Sequence, residues 1–290
     1  MKSCTFSVES TTDLPVALLR EREIPFLTYT CLNGEERIPD TIRDDPAALD
    51  RFYAALDAGA TPTTTQLTPF DYKEFFEPLP DPVLHLCFGT GMTASYQNAC
   101  AAAEELRAQG RDIHVVDSLC SAGGYGLLAL EADDLLQKGA TREEAEKFLL
   151  EARTHVHHSF YCTTLSFFRR SGRVKGSLAI IGTMLGICPL MHLNRAGQIV
   201  VTGKARGKVK ARLATLSEMM EHAQDGAEYS GHCIIGHTHA LAEAEQTRRD
   251  ILAAFPKIAS VDLVEIGPVI AAHCGPGTVA VFYMGDERAE

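Results

Sequence analysis

Residues 87 to 99, CFGTGMTASYQNA, set two glycines and several hydroxyls directly after an apolar run and before a helical stretch. Gly89 and Gly91 allow a sharp turn, and Thr93 or Ser95 stands where a side-chain oxygen caps the start of a helix. The free N–H groups of such a helix start favour an anion. In open α/β sheets they lie beyond the carboxyl ends of the strands, where ligands collect. The same residues also suit a helix start whose glycines serve the turn alone, and this segment does not separate the two readings. No Gly-Lys-Ser/Thr follows, so it is not a Walker-type phosphate loop.

A second polar loop, TPTTTQLTP (61–69), packs four hydroxyls and an amide between Pro62 and Pro69. The ordinary role of such a loop is to satisfy its own backbone. Near the C-terminus, IGPVIAAHCGPG brings His273 and Cys274 together before a Gly-Pro-Gly turn. Read as the end of an apolar strand at 269–273, it sends the two side chains to opposite faces, so His273 is poorly placed to deprotonate Cys274. The imidazole suits donation to a carboxylate, or a buried structural role. His237, His239 and the group His155, His157, His158 lack conventional ligand spacing, and no metal is expected. The basic run Lys204, Arg206, Lys208, Lys210, Arg212 fits either a solvated helix end or a patch that docks a partner or a phosphate.

These segments need a scaffold. Short β-rich runs at 5–8, 25–30, 83–88 and 113–116 alternate with helical stretches at 14–20, 46–56, 70–76, 95–108 and 123–136, the rhythm of βαβ units. VLHLCF and IHVVD are nearly continuous apolar runs, as parallel strands covered on both faces require. Asn33-Gly34 between extended segments marks a hairpin. A helix at 142–155 and a strand at 160–164 lead into LSFFRRSGRVKG, where glycines and charges break the rhythm. The expected division is an N-terminal, mostly parallel α/β domain over 1–165 and a C-terminal mixed α/β domain over 166–290. The second half predicts an apolar helix at 177–185, a hairpin turning at 194–197, a charged helix from Lys208 to about His222, and a strand at 232–236. A helix through Arg249 and extended pieces at 261–265, 269–273 and 279–283 follow. Strands joined by a tight turn are antiparallel, so this sheet is mixed.

At 290 residues and 46% hydrophobic, the chain can bury a substantial core. With 38 acidic and 27 basic side chains its formal charge is −11, which opposes both phosphate-mediated nucleic-acid binding and anionic membrane surfaces. No signal-peptide-like apolar core opens the sequence, and the apolar stretch around 178–190 is too short and broken to span a bilayer. A cytoplasmic protein without stable membrane insertion is therefore expected. Nine cysteines without CxxC or regular spacing fit reduced, buried thiols.

Taken in order, these segments resemble the DegV family over nearly the whole chain. SVESTTDLP is similar to the family's opening aspartate-serine-threonine stretch ending in DLP, and TTQLT (64–68) to its TSQPS loop. GTGMTASYQ is similar to its SGLSGTYQ loop, and VVDSLCSAGGYGLL (115–128) to its VDS segment with following glycines. RRSGRVKG, LGICPL, KARGK and IGPVIAAHCGPG complete the series. The chain departs from the pattern at Glu9 for the opening aspartate, Thr65 and Leu67 in the TSQPS loop, Thr93 for a serine and Cys188 for a lysine.

The resemblance implies two α/β domains that clasp a fatty acyl chain in an apolar tunnel, with the carboxylate at the domain interface. By motif position the carboxylate contacts are Thr64, Thr93 with its adjoining backbone, and His273, with Arg173 as the family arginine nearby. Such donors offset the desolvation of a buried carboxylate. Tunnel candidates are Phe26, Tyr96, Ile180, Met184, Leu185 and Ile270. The resemblance further implies a carrier that is not itself catalytic and needs no cofactor. It would present a long-chain fatty acid to a separate fatty acid kinase ATP-binding subunit, docked through Arg206, for acyl phosphate formation. The alternatives are a lipid store or transporter without a kinase partner, a binder of another anionic ligand, and an acyl transferase or hydrolase using the His273/Cys274 region.

Overall fold

The computed structural model describes residues 2–175 and 186–290, and the helix expected at 177–185 lies outside them. In chain order the first part holds β1 (Thr5–Glu9), α1 (Val16–Glu21), β2 (Phe26–Leu27), β3 (Thr30–Asn33), β4 (Glu36–Pro39), α2 (Pro46–Asp57), β5 (Thr63–Thr64) and α3 (Pro69–Phe76). Next come β6 (Val83–Cys87), α4 (Ser95–Arg107), β7 (Ile113–Asp117), α5 (Ala122–Gln137), α6 (Arg142–Ala152), β8 (Val156–Tyr161), α7 (Ser166–Ser171) and β9 (Val174–Lys175). The remainder holds β10 (Ile187–Leu193), β11 (Ile199–Arg206), α8 (Lys208–His222), β12 (His232–His237), α9 (Leu241–Ala254), β13 (Ser260–Glu265), α10 (Pro268–Cys274) and β14 (Val279–Met284).

The fold is α/β, with a parallel sheet and a second, mixed sheet. The first has the order β2-β1-β6-β7, all parallel. All five residues of β6 are buried, which is why VLHLC reads as an unbroken apolar run. A small antiparallel sheet, β4-β3-β5, is built on the expected hairpin, with Gly34 at φ +63 in the turn and Asn33 opposite Glu36. Among the described residues the mixed sheet has the order β13-β12-β14-β8-β10-β11-β9, parallel in its two outer pairs and antiparallel between them. The strand expected at 160–164 lies earlier in the chain, as β8, and pairs with β14 and β10. The second sheet therefore takes in chain from before residue 166.

Helix α5 is wedged between the two layers. Eleven of its 16 residues are buried, including every one from Ala122 to Ala129, while Glu131, Asp134 and Gln137 are among those that are not. A Cβ at Gly124 would collide with the His158 ring of β8, and one at Gly126 would lie 2.6 Å from the Thr12 carbonyl oxygen beyond β1. Each glycine costs about 0.5–1 kcal/mol relative to alanine in a helix, a cost offset here by close approach on both faces.

The segment 269–273, expected as a strand, is instead part of helix α10. Four apolar residues and a histidine carry no period that selects strand over helix. The flanks decide: Gly267 is extended (ψ 158), Pro268 stands in the first turn, and Gly275 follows with φ +71, the usual placing of proline at a helix start and glycine past its end.

Candidate functional site

The loops leaving the carboxyl ends of β6 and β7 meet α7, α10 and the mixed sheet around a cavity of about 600 Å³. Buried side chains fix these loops. Glu9, at the end of β1, accepts the Phe88 N–H at 2.6 Å and the Tyr72 hydroxyl. The Tyr125 hydroxyl of α5 accepts the Glu9 N–H at 2.9 Å and donates to the Leu86 carbonyl at 2.5 Å. Asp117, at the end of β7, accepts the Thr90 N–H (3.1 Å), the Thr90 hydroxyl (2.6 Å) and the Leu119 N–H (3.0 Å). The loop from Phe88 to Thr93 is thus held from both sides. Gly91 abuts the Gly197 carbonyl of the β10–β11 turn so closely that no side chain fits.

At the polar end, two side chains 209 positions apart in sequence touch: Thr64 Oγ1 lies 2.9 Å from His273 Nε2. Thr64 is aimed by β5, where it pairs with Cys31 of β3, and His273 by the last turn of α10. Burial, then the charges of Arg173 and Arg170, lower the His273 pKa to about 4, so the imidazole is neutral near pH 7. Arg173 lines the cavity from an exposed position, its Nη1 donating to the Ser171 carbonyl at 2.5 Å. Thr93 lines it too. Its hydroxyl accepts the Ser95 N–H at 3.3 Å and lies 2.9 Å from the Ser95 hydroxyl, although the N-cap position itself falls on Ala94. The first turn of α4 opens onto the cavity through Thr93, Ala94 and Gln97. Hydroxyls, an imidazole, a guanidinium and a helix start all border this cavity, a donor set suited to an anion.

The rest of the wall is largely apolar, with Phe88, Phe160, Phe168, Ile266, Ile270 and Phe282 prominent. Of the residues expected along an acyl tunnel, Ile270 lines this cavity. Phe26 and Tyr96 do not line the cavity. Phe26 lies on the edge strand β2 beside Val8, and Tyr96 runs along its own helix to Cys100. Ile180, Met184 and Leu185 lie outside the described residues. His158, at the cavity wall, is fully engaged. Its Nε2 accepts the Ser121 N–H at 3.1 Å and its Nδ1 donates to the Val156 carbonyl at 3.0 Å.

Cys274 also reaches the cavity, but burial pushes its thiol up to about 12, so no thiolate is present near neutrality. The His273 bond goes to Thr64 rather than to sulfur. Of the remaining histidines, His237 lies 2.8 Å from the Glu265 carboxylate and His239 stacks on Tyr53. His155 and His157 lie 3.1 and 3.0 Å from the carbonyls of Gly285 and Asp286. Glu9, His85 and Cys87 bring one ligand atom each within 4.8 Å of one another, yet both Glu9 oxygens already accept hydrogen bonds. In the basic run, Lys208 pairs with Glu243 and Arg212 with Asp250, while Arg206 is exposed and forms no ion pair among the described residues.

Sequence reasoning did not single out Asp117, Asp13 or Asp40. Asp117 sits in the VDS segment and Asp13 in the DLP segment, so position offered a signal for two of them; Asp40 carried none.

Residues 7–286 match the model of a family described as an uncharacterised protein family, DegV. A fatty acid-binding protein of Thermotoga maritima is 28% identical over 281 residues, covering 94% of each chain. Two solved structures share the fold. One is a DegV lipid binding protein from Thermotoga maritima, 27% identical, with a TM-score of 0.85 over 99% of this chain and 100% of that one. The other is a DegV family protein from Thermus thermophilus described by its fatty acid binding, 28% identical, with a TM-score of 0.85 over 98% and 100%. Among the described residues no helix is long and apolar enough to cross a membrane.

Proposed function

The chain belongs to the DegV family, and from that premise we propose that it holds one long-chain fatty acid, carboxylate at the Thr64–His273 end and acyl chain along the apolar wall. The observation that carries this reading is the 2.9 Å contact between Thr64 and His273 at the polar end of a cavity of about 600 Å³. That volume falls within the roughly 300–1,000 Å³ of small-molecule sites. A dozen buried methylenes contribute on the order of 10 kcal/mol before ordering costs, so the tail supplies affinity and the polar end supplies orientation. The Thr64 and Thr93 hydroxyls, the His273 imidazole and Arg173 donate to the carboxylate. Likeness to fatty acid-binding relatives supports the same ligand.

Titration calorimetry with a long-chain fatty acid and its methyl ester tests this directly. One acid per chain, with the ester at least about tenfold weaker, is the expected outcome. Equal binding of acid and ester would remove the carboxylate from the account.

The finer reading is a carrier role, in which the bound acid is presented to a separate ATP-binding kinase subunit that forms the acyl phosphate. It rests on the DegV motifs. Supporting it, Arg206 is exposed and forms no ion pair among the described residues, and Lys204 and Lys210, near it in sequence, are exposed as well, on a chain whose net charge is −11. Arg206→Ala should reduce acyl phosphate formation by the purified kinase while leaving fatty acid affinity unchanged. An unaltered rate would move docking elsewhere, and turnover of acyl substrate by this chain alone would overturn the carrier reading.

A further inference from the structure

Helix α10 contacts the N-terminal half of the chain at both ends. At its C-terminal end His273 meets Thr64 of β5. At its N-terminal end the Gly267 N–H donates to Asp13 Oδ1 at 2.9 Å, and the Val269 N–H donates to Asp40 Oδ1 at 3.0 Å. Asp13 follows the short helical turn Ser10–Thr12 after β1, and Asp40 opens the turn Asp40–Asp44 after β4. Both carboxylates are buried. Asp40 Oδ2 also accepts the Ser10 hydroxyl at 2.9 Å, and that hydroxyl accepts the N–H of Tyr29, a residue of the cavity wall, at 3.1 Å. Arg43, itself buried, lies 3.5 Å from Asp40 and donates to the Leu14 carbonyl at 2.7 Å. Gly267 is packed against Asp40 so closely that a Cβ there would collide with the carboxylate.

Two buried acids are an expensive way to cap a seven-residue helix, for which one exposed serine or aspartate would serve. They make sense if where the helix starts matters, because only five residues lie between Gly267 and His273. We propose that Asp13 and Asp40 are positioning residues for ligand recognition: from the N-terminal half they clamp the start of α10 and so hold His273 against Thr64 at the polar end of the cavity. Burial raises the pKa of both carboxyls, with Arg43 and the two backbone N–H groups opposing it. For Asp13 the nearby Asp40 charge adds to the upward shift, and the Arg43 guanidinium opposes it.

The inference rests on the fatty-acid reading for its affinity readout but not for its structural one. The variants are Asp40→Ala, Asp40→Asn and Gly267→Ala. Asparagine keeps an oxygen for the Val269 N–H. Gly267→Ala changes no charge and presses on Asp40, so it decides the matter if Asp40→Ala fails to fold. The first readout is the His273 titration by NMR in ligand-free protein. Asp40→Ala and Gly267→Ala should raise it by about one pH unit or more from about 4 toward 6.5, because a loosened imidazole regains water. The second is fatty acid affinity, which should fall about tenfold or more in the same two variants. Asp40→Asn should restore both toward the wild type. Variants that melt earlier yet keep the His273 titration in place would overturn the proposal. Failure of the wild type to bind fatty acid would overturn the ligand reading alone, since the titration needs no ligand.

Discussion

Replacing Thr64 by valine keeps the shape of the side chain and removes a single hydroxyl. In the empty site it deletes the 2.9 Å contact with His273 Nε2. In the complex it deletes a donor to an ionised carboxylate, an interaction worth roughly 1.5–3 kcal/mol. Taken alone that corresponds to about a 10- to 150-fold loss in affinity. Part of the loss is returned, because the empty variant also leaves an imidazole nitrogen unpaired and so starts from a less stable site. The expected net effect is about 5- to 30-fold. Displacement of a fluorescent fatty acid at pH 7.5 measures it, and repeating the titration with the matching long-chain alcohol isolates the head group. The alcohol should weaken by less than about threefold, since its hydroxyl carries no charge to stabilise. Equal weakening of acid and alcohol, or no change for the acid, would refute the assignment of Thr64 to the carboxylate.

Affinity should rise about fourfold per added methylene along a series of saturated acids, then level off once the cavity is filled, and a flat series would remove the acyl chain from it. His273 is held near pKa 4 in the folded protein, against 6.5 for a free imidazole, so between those values the unfolded chain binds a proton that the folded chain does not. Its contribution to stability is therefore fully present above about pH 6.5 and is lost as pH falls toward 4, by at most about 3 kcal/mol. Urea melts of the wild type and His273→Gln at pH 7.5, 5.5 and 4.5 should converge as pH falls; parallel curves would contradict the lowered pKa. Gly124→Ala should cost about 1–3 kcal/mol and lower the melting midpoint by several degrees, because its Cβ meets a His158 ring fixed by hydrogen bonds at both nitrogens. An unchanged midpoint would mean that α5 is packed less tightly than described.

What the sequence made legible follows from how locally each feature is encoded. The parallel strands β6 and β7 are apolar on both faces, and the β3–β4 hairpin carries its own Asn-Gly turn, so both could be read from a few residues. Helix α10 could not, because VIAAH has no period and only its flanking proline and glycines, whose meaning depends on backbone angles, select a helix. The strand expected at 160–164 begins at Val156 in the structure, and its partners β14 and β10 lie in chain that follows, so local pattern could not assign its sheet. The meeting of Thr64 with His273 has no local signature. It was reachable only through the ordered DegV motifs, which also point to Thr93 and Arg173 at the same cavity. Phe26 and Tyr96 were misdirected for a related reason: motif position says which segment borders a site, while side-chain direction depends on the packing of strand and helix. Asp40 was invisible because the two partners that tie it to the site, Ser10 and Val269, lie 30 and 229 positions away.

The most direct test of the central claim is native mass spectrometry of the purified protein, followed by organic extraction and identification of the released lipid. The account predicts one long-chain fatty acid per chain, either co-purified or taken up on addition, because the Thr64–His273 cavity offers one carboxylate end. A ligand-free mass that does not shift when long-chain fatty acids are added would contradict it.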